Sequence, residues 1–296
     1  MTYDDLMQGL DAGSLVLMDG ATGTEIERLG VEPVQYAWSS TGALNGPDIV
    51  RSVHASYLEI GAQIVISNTF STSWQALVNA NMSEHFESLN RTGVELACEA
   101  ISQTGANALV AGGISHDHFT GTAPTMDTLD RTVTRQAEIM RDAGASLLIL
   151  EMMVDIDKTL TLLRAAQRSG LPVWVGFSTS IDPDGSVILN NGLPLAEGIN
   201  AVAEHNIDLI SIMHTEVAHI HTSLQILNEH WSGHMGVYAH SGRWEDPNWF
   251  YDGVISEKDY AAYASEWLDA GVQAIGGCCG IGPGHILALR NLLETR

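Results

Sequence analysis

The chain has 296 residues, 45% of them hydrophobic, and carries 36 acidic against 13 basic side chains for a net charge of −23. That length and apolar content support a large core, and no apolar run approaches the ~18 residues of a membrane span. So acidic a surface repels phosphate backbones and anionic membranes, which argues against nucleic acid and membrane as partners; it reads first as a well-solvated surface and second as one that steers a cationic substrate. The opening residues Met1-Thr2-Tyr3-Asp4-Asp5-Leu6 lack the basic and apolar regions of a signal peptide. Three cysteines, two of them adjacent, do not make a disulfide framework, and a reducing cytoplasm is the expected compartment.

In chain order, apolar runs rich in β-branched residues alternate with helical spacing eight times. Strands are expected at 15–19, 64–70, 108–114, 147–152, 173–177, 209–214, 235–240 and 274–278. The helices between and after them are expected at 47–61, 89–104, 125–143, 155–169, 195–205, 216–230, 256–270 and 283–294. Near-continuous apolar strands read as a parallel sheet buried on both faces. Eight strand–helix units in this length fit an α/β fold of the (β/α)₈ TIM-barrel type, spanning 1–296 as one domain. A doubly wound open sheet competes. The barrel is preferred because polar or reactive residues end nearly every strand, and those ends converge only if the sheet closes. Three longer loops, 27–46, 178–194 and 240–255, then lie on the active face.

Read as chemistry, the strand ends are specific. Asp19 closes the first strand and is followed by Gly20, Ala21 and Thr22; a carboxylate there suits an ammonium group, and the small residues leave N–H groups free for an anion. The competing reading is a tight turn capped by Asp19. Asn68 ends the second strand, and Trp38, in the first loop, can face a sulfonium or quaternary ammonium centre by cation–π attraction. His116 and His118 follow the third strand at a place that can form the pocket rim. Glu151 ends the fourth within an apolar run, where a carboxylate is costly unless paired or wet. It is expected either to join Asp19 in clamping an ammonium group or to form an ion pair across the barrel mouth. His214 ends the sixth strand and His240 the seventh. The eighth runs into Gly276-Gly277-Cys278-Cys279-Gly280, a soft-metal site two thiolates strong that needs a third ligand. His214 and His240 are both within reach, and at least one of them is expected to bind the metal, the competing reading being a hydrogen-bonded core histidine.

Together these motifs resemble the homocysteine S-methyltransferase family. The resemblance runs from about Leu15 to the C-terminus, carried most specifically by Asp19-Gly20-Ala21-Thr22-Gly23-Thr24-Glu25 and by the glycine-flanked cysteine pair. It implies a (β/α)₈ barrel that holds zinc through three cysteines, two of them Cys278 and Cys279. It also implies an amino-acid substrate received by Asp19, Glu151 and the backbone after Asp19, with Trp38 near the methyl donor. The first cysteine of the family pattern is replaced here by His214, and the asparagine before it by Met213.

The expected activity is therefore zinc-dependent methyl transfer from a sulfonium, betaine or similar cationic donor to the thiolate of homocysteine, giving methionine. A neutral imidazole in place of a thiolate makes the site less negative, which favours a more acidic bound thiol and an activated donor. Two alternatives use the same barrel. One is a hydrolase-like metal enzyme built on His214 and His240. The other is a catalytically silent ligand-binding protein.

Overall fold

Alternation of side chains along eight short parallel strands decides what reaches the centre of this computed structural model. Residues 1–116, 121–245 and 248–296 are described. The strands are β1 (Val16–Leu17), β2 (Ile64–Ile66), β3 (Leu109–Ile114), β4 (Leu147–Met153), β5 (Val173–Phe177), β6 (Leu209–Glu216), β7 (His234–His240) and β8 (Ala274–Gly277). Each strand from β2 to β8 pairs in parallel with the next, and β8 pairs with β1. A parallel bridge from Met18 to Ile64 joins β1 to β2 and completes the ring. Eight helices wrap it: Pro47–Ile60, Phe86–Thr104, Met126–Ala143, Ile156–Gln167, Leu195–Ala203, Val217–His230, Glu257–Asp269 and Pro283–Leu293. This is the expected (β/α)₈ barrel. Ser256 caps its helix by accepting the Asp259 N–H at 3.1 Å, and Gly61 ends the first barrel helix in the left-handed conformation at φ 116°.

Two apolar layers follow from the period of two. Ile64, Ile66, Leu109, Ala111, Leu147, Ile149, Trp174 and Leu209 fill the barrel interior. The residues between them, among them Val65, Val110, Leu148, Leu150, Val175 and Ile210, pack outward against the helices. The same parity carried to the carboxyl ends turns Glu151, Tyr238 and Cys278 inward, in step with Ile149, Gly236 and Gly276.

The amino end is plugged by a helix, Tyr3–Asp11, that the strand–helix pattern does not include. Its Leu6 and Leu10, one turn apart, enter the interior core, and Thr2 with Asp5 forms a capping box. The Trp174 indole donates to the Tyr3 hydroxyl at 2.9 Å. With that end closed, the interior is open only toward the carboxyl ends.

Two further departures sit on the open face. β2 stops at Ile66, not at residue 70, because the backbone turns: Thr69 N–H donates to the Ser67 carbonyl at 2.7 Å. The long loops carry structure of their own. The first holds a helix, Gly23–Arg28, and then a 3₁₀ turn and a short helix over Ser39–Thr41 and Gly42–Asn45. The others hold antiparallel hairpins pairing 179–181 with 187–189 and 243–245 with 248–250. Such short elements leave no periodic signature. Among the described residues no helix is long and apolar enough to cross a membrane.

His54, on the helix Pro47–Ile60, is wholly buried, and neither ring nitrogen has a hydrogen-bond partner. Burial pushes its pKa down to about 4. The folded chain therefore keeps the ring neutral. Its contribution to stability is complete above the unfolded value near 6.5 and is lost as pH falls through 4, by about 3 kcal/mol. His54→Leu is expected to melt at or above the wild-type temperature at pH 7, with the advantage widening as pH drops toward 4.5. Parallel melting curves for the two proteins across that range would contradict this.

Candidate active site

The floor of the barrel mouth is built by the residues just past β8. Cys278 donates its N–H to the Ala239 carbonyl at 2.7 Å, which ties it to β7, and its thiol lies 3.6 Å from that of Cys279. Cys278 is 6% exposed.

His214 reaches the same floor by breaking the alternation of β6. Leu209 and Met213 face inward, so strict parity would turn residue 214 outward. Instead the β6–β7 register shifts between Met213 and Glu216, and His214 takes a left-handed backbone at φ 49°. A non-glycine residue in that region is strained and needs surrounding contacts to hold it. Here Ser178 donates to the His214 carbonyl at 2.7 Å, and the Phe70 ring stacks on the imidazole at 5.0 Å and 27°. The two ring nitrogens complete the clamp: Nδ1 lies 3.0 Å from Cys278 Sγ and Nε2 3.0 Å from Glu151 Oε2.

Glu151 is slightly more buried than Cys278. Its Oε2 is taken by His214, whereas Oε1 is buried without a hydrogen-bond partner. Gly113 on β3 makes room for it, since a Cβ there would collide with Oε1. Burial disfavours a charged His214, but the charges and hydrogen bonds of Cys278 and Glu151 overcome it and raise the ring to about 10. Burial and the neighbouring Cys279 push the Cys278 thiol up, with His214 acting against them. The direction that prevails for the pair is a protonated imidazole, because Glu151 supports it from the far side.

The other expected residues divide into those that line the cavity and those that support it. A small cavity of about 50 Å³ is bounded by Ala21, Thr22, Gly23, Trp38, Asn68, Glu151, His214 and the two cysteines, among others. Asn68 is fixed there by donating to the Ser39 carbonyl at 2.9 Å. The Trp38 ring lies against Gly23, where a Cβ would clash with it, and its indole N–H donates to Glu27.

Asp19 departs from the expectation that it clamps substrate directly. It is completely buried, does not line the cavity, and its oxygens accept the Ile66 N–H at 2.8 Å and the Tyr238 hydroxyl at 2.9 Å. Burial pushes its carboxyl well up, with those two donors opposing. Gly20 also lies behind the wall, packed so closely on Ile281 and Tyr57 that no side chain fits, and its carbonyl accepts from Tyr238. Tyr238 thus anchors the first loop from across the barrel, a role that its inward parity on β7 signals.

Above the small cavity sits a larger chamber of about 410 Å³, sharing Trp38, Phe70, His214 and Cys279 with it. His240 lines this outer chamber and not the inner cavity. Its ring meets Trp249 edge-on at 5.4 Å, and burial followed by the charge of His214 pushes it down to about 4. His214 therefore lines both cavities, whereas His240 shares the outer chamber with His214 and Cys279 and does not line the inner one with Cys278. Met152 and Glu216 line the same chamber. Of the expected rim residues, His116 is buried outside both cavities and His118 lies outside the described residues.

The donor chemistry of Cys278, Cys279 and His214 suits zinc. The sulfur–sulfur separation of 3.6 Å is close to the tetrahedral edge of about 3.8 Å that two Zn–S bonds imply. The Nδ1–Sγ distance of 3.0 Å is about 0.5 Å short of the corresponding mixed edge. Among the described residues no group of three or more His, Cys, Asp or Glu side chains stands so that it could hold a metal ion as the side chains lie.

Residues 16–293 match the family model for homocysteine S-methyltransferase. Similar proteins include a selenocysteine Se-methyltransferase of Brassica oleracea var. italica, 27% identical across 97% of this chain and 91% of its own length. Another is homocysteine S-methyltransferase 2 of Arabidopsis thaliana, 26% identical across 96% of this chain and 94% of its own. Among solved structures, the metallated form of the homocysteine methyltransferase MmuM from Escherichia coli superposes with a TM-score of 0.80. It covers 97% of this chain and 99% of its own at 24% identity, a likeness that concerns the fold. With the family model matched over nearly its whole length, and with the barrel and the cysteine pair in place, the chain belongs to the homocysteine S-methyltransferase family.

Proposed function

We propose that this protein transfers a methyl group from a cationic donor to the thiol of homocysteine, giving methionine, with Zn²⁺ held by Cys278, Cys279 and His214. The observation that carries the reading is the convergence of two cysteine thiols, an imidazole and a carboxylate on one cavity. Zinc bound there supplies Lewis acidity that lowers the pKa of the acceptor thiol, which is otherwise mostly protonated at neutral pH.

The chain's own residues do the rest. In this reading Glu151, which lines the inner cavity, receives the acceptor ammonium group. The backbone at Ala21, Thr22 and Gly23, which line the same cavity, receives the acceptor carboxylate. Asp19 supports this loop through Tyr238 without touching substrate. The outer chamber offers the aromatic faces of Trp38, Phe70 and Trp249 and the carboxylate of Glu216 to a sulfonium or quaternary ammonium donor, and the Arg243 that also lines it is paired with Glu245 and Asp252. Because this chamber shares Cys279 and His214 with the inner cavity, a donor bound there would lie next to the acceptor thiol.

The purified protein is expected to bind one zinc per chain and to form methionine from homocysteine with at least one sulfonium, betaine or methyl-corrinoid donor. Cys278→Ser and Cys279→Ser should each remove both properties. A chain that binds no zinc on loading and turns over none of these donors contradicts the reading. Selenocysteine belongs in the acceptor panel, because a relative is named for methylating it.

A cationic donor drawn by Glu216 predicts a second outcome. Glu216→Gln should raise the donor KM about three- to tenfold at low salt, with the effect fading as salt screens it and the homocysteine KM unchanged. An equal change in both KM values would place Glu216 elsewhere in the reaction.

A further inference from the structure

A histidine can replace a cysteine as a ligand only if its ring is turned and its protons are placed, and a cysteine needs neither. An imidazole offers one lone pair, on whichever nitrogen is left unprotonated, and the partner of the other nitrogen decides which that is. At this site the partner is Glu151, with Oε2 3.0 Å from His214 Nε2. That contact places a proton on Nε2 and directs Nδ1 to the cysteine pair, 3.0 Å from Cys278 Sγ. The left-handed backbone at His214 shows that the ring does not reach this position by strand geometry alone. The second carboxylate oxygen is buried against Gly113 without a hydrogen-bond partner, which leaves His214 as the one group that fixes this carboxylate among the hydrogen bonds described.

Resting on the reading that this cluster holds zinc, we propose that Glu151 is a positioning residue for His214. Its Oε2 orients the ring that replaces a cysteine. A ring holding a metal through Nδ1 would carry its one proton on Nε2, against Glu151.

The test is a double-mutant cycle on zinc affinity, measured by competition with a chromophoric chelator at fixed pH on wild type, Glu151→Gln, His214→Cys and the double variant. Glu151→Gln is expected to weaken zinc binding 10- to 100-fold with His214 present and less than threefold in the His214→Cys background. Equal weakening in both backgrounds would show a general charge or folding effect and overturn the proposal, as would no weakening in either. A wild type that takes no zinc overturns the metal reading itself, a result distinct from zinc binding that ignores Glu151. Should His214→Cys not fold, ¹⁵N shifts of the His214 ring in the zinc-loaded protein decide. A ring protonated at Nε2 in wild type, and mixed in Glu151→Gln, supports the proposal, and an identical ring in both contradicts it.

Discussion

A buried carboxylate facing a buried imidazole governs the arrangement of the barrel mouth. Glu151 and His214 meet at 3.0 Å with side chains only 5% and 11% exposed. Removing either partner would leave the other desolvated and unpaired, at a cost of several kcal/mol, so the two are retained together. Their pairing also holds the backbone at His214 in a conformation it would otherwise leave. The strain is balanced by three contacts of different kinds: the Glu151 ion pair, the Phe70 stack and the Ser178 hydrogen bond. Everything proposed for the chemistry depends on a ring fixed in this way.

The barrel supplies the rest by parity. Once β4, β7 and β8 have their apolar interior residues in place, Glu151, Tyr238 and Cys278 are inward without further instruction. Asp19 and Tyr238 illustrate a division of labour in the family pattern of this chain. The carboxylate with the strongest resemblance to a substrate contact holds the first loop together, and Glu151 is the carboxylate with an oxygen to spare. Two adjoining cavities then meet at Trp38, Phe70, His214 and Cys279, the inner one reaching Cys278 and Asn68 and the outer one His240 and Trp249.

Much of this was legible in the residues. Buried parallel strands show themselves as apolar runs, so all eight strands were anticipated, and the run 173–177 was placed to the residue. The cysteine pair and the two strand-end histidines were visible as donors, and the burden of an acid inside Leu148-Ile149-Leu150 pointed to a paired Glu151. What escaped depends on the sign of single backbone angles. The register shifts after Leu150 and Met213, and the positive φ values at Met152 and His214, leave no pattern in the sequence. They nevertheless decide that His214 meets Glu151 and that His240 does not share its place. The depth of Asp19 was equally hidden, because it is set by Tyr238, more than two hundred residues away.

The central claim is that a histidine has taken a cysteine's place in the zinc shell. X-ray absorption at the zinc edge, on protein loaded with one equivalent of zinc in a thiol-free buffer, tests it most directly. The account predicts two sulfur neighbours near ~2.3 Å and an imidazole nitrogen near ~2.0 Å. A shell without sulfur, or one with a third sulfur and no imidazole, would contradict it.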